Sequence, residues 1–177
     1  MLIPTLITVA AFVVVFLIVV LLRPNTFQVS RSLKMAAPAS KTFEQVNDLH
    51  RMNVWNPWAN LDPAMKQTYE GAEAGAGAIY SWDGNSNVGA GRQTIVESRP
   101  NDLVRIKLEF FRPFKGTNDV EFTFQPEGRE TLVTWAMTGQ YVFITKVMGC
   151  FMSMDKMIGG SFEKGLADMK SIVEAGG

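Results

Sequence analysis

Few side chains in this sequence could do chemistry. Asp155 falls close to an apolar stripe, with Phe151 before it and Ile158 after it at helical spacing. A carboxyl buried there would have a raised pKa and could act as a general acid or base. More often such a carboxylate partners a Lys, Arg or Tyr, or lies at the edge of the stripe. Arg31 shares parity with Val29 and Leu33 in an alternating run, which makes it a candidate inward-facing partner for Asp155 or Glu97. His50, the single histidine, lies on a helix edge with no nearby nucleophile and reads as a surface or packing residue. Cys150, the single cysteine, sits in a Met-rich stretch as a buried apolar thiol. One His and one Cys leave no His/Cys metal site, and a lone Cys excludes an internal disulfide. The glycine-rich GAEAGAG (71–77) and VGAGR (88–92) do not fit G-x-x-x-x-G-K-[ST] and do not join a strand to a helix. They read as loops or bulges. No catalytic residue, metal or cofactor is assigned.

What remains is an apolar wall. Twelve Phe, ten Met and four Trp are a heavy load for the domain of about 150 residues left outside the N-terminal segment. Tyr80, Trp82, Phe110, Phe122, Trp135 and Met137 could line a cavity, faced by Met148, Phe151, Met152, Asp155 and Ile158 from the last segment. Met and aromatics make an adaptable surface for a flexible apolar ligand. The competing reading is that the same residues fill a core. Trp55 and Trp58 flank Pro57. They fit a lid at a cavity mouth, an anchor in the headgroup zone, or a plug closing the sheet's open end.

The elements that must position these residues are legible. Thr26 to Met35 alternates and reads as a first strand. Pro38 opens a helical stretch with Phe43, Val46 and Leu49 at helical spacing, broken at Asn56-Pro57-Trp58. Six β-rich runs follow, near 66–70, 78–82, 91–98, 103–111, 119–125 and 131–140, separated by turn signals such as Asp83-Gly84-Asn85 and Glu127-Gly128-Arg129. In series they form an antiparallel meander. Val104, Ile106, Leu108 and Phe110 oppose Arg105, Lys107 and Glu109, so each strand has one buried and one wet face. The last segment, from Thr145 to Ala175, lacks Pro and reads as one long helix. Gly159-Gly160 interrupts it at a cost of about 1–2 kcal/mol. That predicts close sheet approach, a kink or room for a ligand.

Leu2 to Leu22 carries no charged side chain and ends at Arg23-Pro24. About 21 helical residues can cross a hydrocarbon core. A cleaved signal peptide would need a positive n-region, a shorter core and a small-x-small site; no Lys or Arg precedes this run, its core is too long, and Ala37-Pro38-Ala39 lies too far downstream. Residues 1–24 are therefore expected to be a transmembrane anchor, and 25–177 one domain. Arg23, Arg31, Lys34 and Lys41 all follow the span, which places the domain on the cytoplasmic side of a single-pass protein. With 17 Lys+Arg against 17 Asp+Glu, no basic excess suits nucleic acid.

The order strand, short helices, meander and long helix resembles the START-like (SRPBCC) superfamily, in its polyketide cyclase/dehydrase-like branch. The matching residues are SRSLKMAAPASKTFEQVND, Trp55-Asn56-Pro57-Trp58, Trp82-Asp83-Gly84-Asn85 with Val88-Gly89-Ala90-Gly91-Arg92, and MDKMIGGSFEKGLADMK. The resemblance covers roughly residues 26 to 175 and implies an α+β helix-grip fold. In that fold a curved antiparallel sheet of about seven strands wraps on a long C-terminal helix, with two short helices after the first strand. The resemblance also implies a cavity for a hydrophobic small molecule or lipid. Two alternatives remain open: an accessory subunit packed against other membrane protein subunits, and a cyclase- or isomerase-like enzyme.

Overall fold

The computed structural model describes residues 2–141, 146–147, 149 and 153–175. Helix α1 (Leu2–Leu22) is uniformly apolar. Its window Thr5–Leu22 has a mean hydropathy of 3.2 and is only 6% buried, and it is long and apolar enough to cross a membrane. A three-residue link leads to strand β1 (Thr26–Met35), where Val29 and Met35 are buried as the alternation requires.

Two short helices follow. Helix α2 (Ala39–Asn47) starts after Pro38 and buries Thr42, Phe43 and Val46. Asp48 is extended and ends it. The Asp48 carboxylate then accepts the amides of His50 and Arg51, capping α3 (Leu49–Trp55). A short polar residue that competes with helix and then caps the next one explains why one apolar periodicity yields two helices.

The remaining strands are β2 (Lys66–Gly71), β3 (Ala78–Asp83), β4 (Ala90–Arg99), β5 (Leu103–Arg112), β6 (Gly116–Glu127) and β7 (Glu130–Gln140). They form one antiparallel sheet in the order β1-β7-β6-β5-β4-β3-β2. Consecutive hairpins build the meander, and β1 closes against β7 with Thr26 opposite Gln140. The register in β4 shifts between Ile95 and Glu97. Val96 is left exposed while Glu97 meets Arg105. Such a bulge bends a strand and curves the sheet.

Helix α4 (Met154–Ala175) lies on the inner face and buries Phe162, Gly165, Leu166, Met169 and Val173. The expected single helix from Thr145 is interrupted, because Ser153 is non-helical. The Ser153 hydroxyl accepts the Lys156 amide at 3.3 Å, an N-cap that starts a new helix. Asp155 then stands in the first turn, where a carboxylate suits the helix dipole. The core centres on Trp135. Its ring stacks on Phe162 at 4.1 Å and on Phe122 at 5.0 Å, with Trp55 edge-on at 5.6 Å. A Cβ on Gly165 would lie 2.9 Å from Trp135 Cζ3 and 3.1 Å from Pro57 Cδ, so only glycine allows the helix this approach.

Candidate ligand-binding cavity

Between the sheet and α4 lies a cavity of about 330 Å³. The strands set its wall by parity. Tyr80 and Trp82 come from β3, Gln93 from β4, Leu108 and Phe110 from β5, and Trp135 and Met137 from β7. Ile158 and Phe162 close it from α4, and Met52, Asn56 and Trp58 from the α3 side. Exposed Ser86, Asn87, Arg112 and Pro113 also line it, so it opens at the end of the sheet where those residues lie.

Hydrogen bonds brace this end. Asn56 Oδ1 accepts the Trp58 amide at 3.1 Å, which fixes how Trp58 enters the wall. The carboxylate of Asp62, only 8% exposed, accepts the amides of Ala64 at 3.1 Å and Asn85 at 2.8 Å. It thereby ties the loop before β2 to the β3–β4 loop. Trp82 Nε1 donates to the Val88 carbonyl at 3.1 Å. Arg112 bridges to Asp83 across the rim.

Two polar atoms are not braced. Gln93 Oε1 and Trp135 Nε1 are buried and have no hydrogen-bond partner among the described residues. Both residues line the cavity. Native structures satisfy most buried polar groups, so an orphaned acceptor and an orphaned donor in one cavity wall mark places where a bound molecule can pair. Tyr80 is also buried here, and loss of water around its phenol, followed by neighbouring Tyr69, pushes its pKa up to about 12. It therefore stays a neutral hydroxyl at physiological pH.

The structure sorts the sequence candidates into three groups. Trp58, Tyr80, Trp82, Phe110, Trp135, Met137 and Ile158 line the cavity. Trp55 and Phe122 do not. They are 2% and 0% exposed, packed behind Trp135, and Trp55 Nε1 is spent on the Gln45 carbonyl at 3.1 Å. This burial removes the lid and headgroup-anchor readings for Trp55. Asp155 is also outside the cavity. It lies on the surface, bridged by Arg31 Nη1 at 2.7 Å, while Arg31 Nε meets Glu163 at 2.6 Å. The Arg31 hydrogen bond holds the Asp155 carboxyl below its usual pKa, opposite to what a buried acid would show. Glu97 pairs with Arg105 instead. Gly159 serves this bridge: a Cβ there would run into Arg31 Nη2, whereas Gly160 faces open space. Met148, Phe151, Met152 and Cys150 lie outside the described residues.

His50 stacks on Tyr69 at 3.6 Å, away from the cavity. Gly75, Gly77 and Gly89 hold positive φ in the connections between strands and Gly71 does so at the end of β2, whereas Gly91 lies inside β4, where a side chain would run into Trp82. Gln93, Leu108, Phe162, Met52 and Asn56 were absent from the sequence candidates. Gln93 was detectable, since it shares parity with Gly91 and Ile95 across from Leu108.

Residues 26–174 match the family described as polyketide cyclase/dehydrase and lipid transport. The chain belongs to that family. Its solved neighbours share the helix-grip fold. A protein from Thermus thermophilus has a TM-score of 0.60 at 17% identity, covering 85% of this chain and 99% of its own. The ginseng (Panax ginseng) major latex-like protein 151 has a TM-score of 0.60 at 12% identity, with 85% and 99% covered. The di-domain aromatase/cyclase from the steffimycin biosynthetic pathway has a TM-score of 0.63 at 12% identity, covering 85% of this chain and 51% of its own. No curated protein sequence matches the chain. At such identities the likeness concerns the fold alone, and the family's lipid-transport description is consistent with an apolar cavity.

Proposed function

We propose that this family member binds a hydrophobic small molecule or lipid in the sheet–helix cavity while held at a membrane by residues 1–24, with residues 25–177 as the binding domain. The cavity carries the reading. Its volume of about 330 Å³ lies at the lower end of the roughly 300–1,000 Å³ range of ligand pockets. Burying 300 Å² of apolar ligand area contributes several kcal/mol at about 25 cal/mol per Å². The unpaired Trp135 N–H and Gln93 carbonyl favour a ligand that is mainly apolar but carries one acceptor and one donor, such as a hydroxylated carbonyl compound.

Binding is favoured over chemistry because the described lining residues offer only Tyr80 and Arg112 as ionisable groups. Arg112 is already engaged by Asp83. The acid–base reading rested on Asp155 and Arg31, which pair with each other on the surface. Helix α1 supports the tether, and the basic residues after it favour the cytoplasmic side.

Native mass spectrometry of the full chain in mild detergent tests the reading. A discrete small-molecule adduct is expected, and Ile158→Trp, which narrows the cavity from a half-buried position, should remove it while the chain stays folded. An adduct that persists unchanged in Ile158→Trp, or bound protein subunits with no adduct in the parent chain, would defeat it.

A further inference from the structure

The antiparallel register fixes which end of the domain meets α1. Thr26 at the start of β1 pairs with Gln140 at the end of β7. Asn118 near the start of β6 pairs with Gly139, and Phe110 near the end of β5 pairs with Gly116. Ala90 pairs with Arg112 and with Asp83. One end of the sheet therefore gathers the α1–β1 link and the loops 56–65, 84–89 and 113–115. This is the end at which the cavity opens, through Ala59, Ser86, Asn87 and Pro113.

The link is short. Four Cα steps from Leu22 to Thr26 span at most roughly 14 Å. The Tyr141 amide also donates to the Asn25 carbonyl at 2.8 Å, holding the link against the sheet end. The cavity mouth and α1 therefore leave the domain at the same end of the sheet, with β7 and β6 lying between β1 and the strands that frame the mouth.

The surface chemistry of the two ends differs. Leu61, Phe111, Phe114 and Met157 are large apolar side chains 51%, 45%, 51% and 44% exposed, all in segments at the mouth end. The loops 56–65, 84–89 and 113–115 contain one carboxylate, Asp62, which is buried and taken up by two backbone amides. The turns at the far end carry Glu73, Asp102, Glu127, Arg129 and Glu130. Apolar side chains flanking an opening, without free carboxylates in its loops, suit a lipid interface.

We infer that the cavity mouth faces the bilayer that holds α1, with Leu61, Phe111, Phe114 and Met157 seated at its surface, so that ligand passes between lipid and cavity without crossing water. This rests on the tether and cavity readings above. A side-on or mouth-up arrangement would leave the four apolar side chains in water and force an apolar ligand through it.

The test uses the full chain with Cys150→Ser, reconstituted in phosphatidylcholine vesicles containing nitroxide-labelled lipid. Single cysteines replace Phe114 or Leu61 at the mouth and Arg129 at the far end, each carrying a fluorophore. Lipid quenching at 114 and 61 should exceed that at 129 by roughly three-fold or more, as expected for side chains within 5–10 Å of the acyl boundary. Equal quenching, or stronger quenching at 129, overturns the inference. A carbonate wash separates the failures. Release of the chain defeats the tether, whereas a retained chain with unquenched 114 and 61 defeats the facing alone. Loss of the native mass adduct bears on the cavity and leaves the quenching result standing.

Discussion

Gln93→Met separates a ligand-binding wall from an ordinary core. Gln93 Oε1 is buried without a partner, and an unsatisfied buried acceptor costs about 1–3 kcal/mol. Gln93 as a whole is only half-buried, so the lower part of that range applies. Methionine is of similar length, unbranched and apolar, and fills the slot between Tyr80 and Leu108 that the register assigns to Gln93. The ligand-free variant should therefore be more stable by about 1 kcal/mol. Bound ligand loses one hydrogen bond, roughly 0.5–1.5 kcal/mol, which is about two- to twelve-fold in affinity. Urea unfolding of the detergent-solubilised chain, followed by Trp fluorescence, reads the first effect, and ligand titration reads the second. The stability measurement must use delipidated protein, because ligand retained by the parent chain adds stability by mass action and would reverse the apparent sign. If Gln93→Met destabilises the delipidated chain, or leaves ligand affinity unchanged, the orphaned acceptor is not a ligand contact and the reasoning fails.

Other consequences follow from particular contacts. Gly160→Ala faces open space and should stabilise α4 by about 1 kcal/mol through helix propensity. Gly165→Ala meets the clamped Trp135 ring and should cost about 1–3 kcal/mol before the same gain; equal shifts in their urea midpoints would contradict the packing described. Tyr80 gives a pH signature. Its folded pKa is raised to about 12 against roughly 10 when unfolded, so the stabilisation is complete below pH 10 and is lost as pH rises through 12. The loss amounts to about 2–3 kcal/mol. Tyr80→Phe should flatten that alkaline window, and a steep decline that survives the substitution would assign it elsewhere.

Local chemistry made much of the architecture readable. Alternation in β5, β6 and β7 is period-two because each strand has one face on the core, and turn residues mark every hairpin. The sheet was legible for that reason. The cavity was legible only as a face: parity puts Tyr80, Trp82, Phe110, Trp135 and Met137 on the inner side, and all five line it. Parity could not separate wall from core, so Phe122 looked equivalent to Trp135 until packing put it behind that ring, and Trp55, read beside Pro57 as a lid, anchor or plug, packs there too. Asp155 carried two readings, a buried acid in the cavity wall and a partner of Arg31 at the stripe's edge, and the structure shows the Arg31 pair. Its true position depends on Ser153 starting α4 afresh and on Arg31 reaching across from β1, 124 residues away in sequence.

The sequence by itself determined the order and type of the elements, the inner faces of β5, β6 and β7, and an uncharged segment long enough to span a bilayer. These depend on side-chain period, turn residues and length, all of which are local. Tertiary structure decided which inner residues surround empty space and which polar atoms there go unpaired. It also decided that the opening lies at the same end of the sheet as the α1 link. Those facts depend on how closely α4 approaches the sheet at Gly159 and Gly165 and on pairings between distant strands, which no single stretch of the chain encodes.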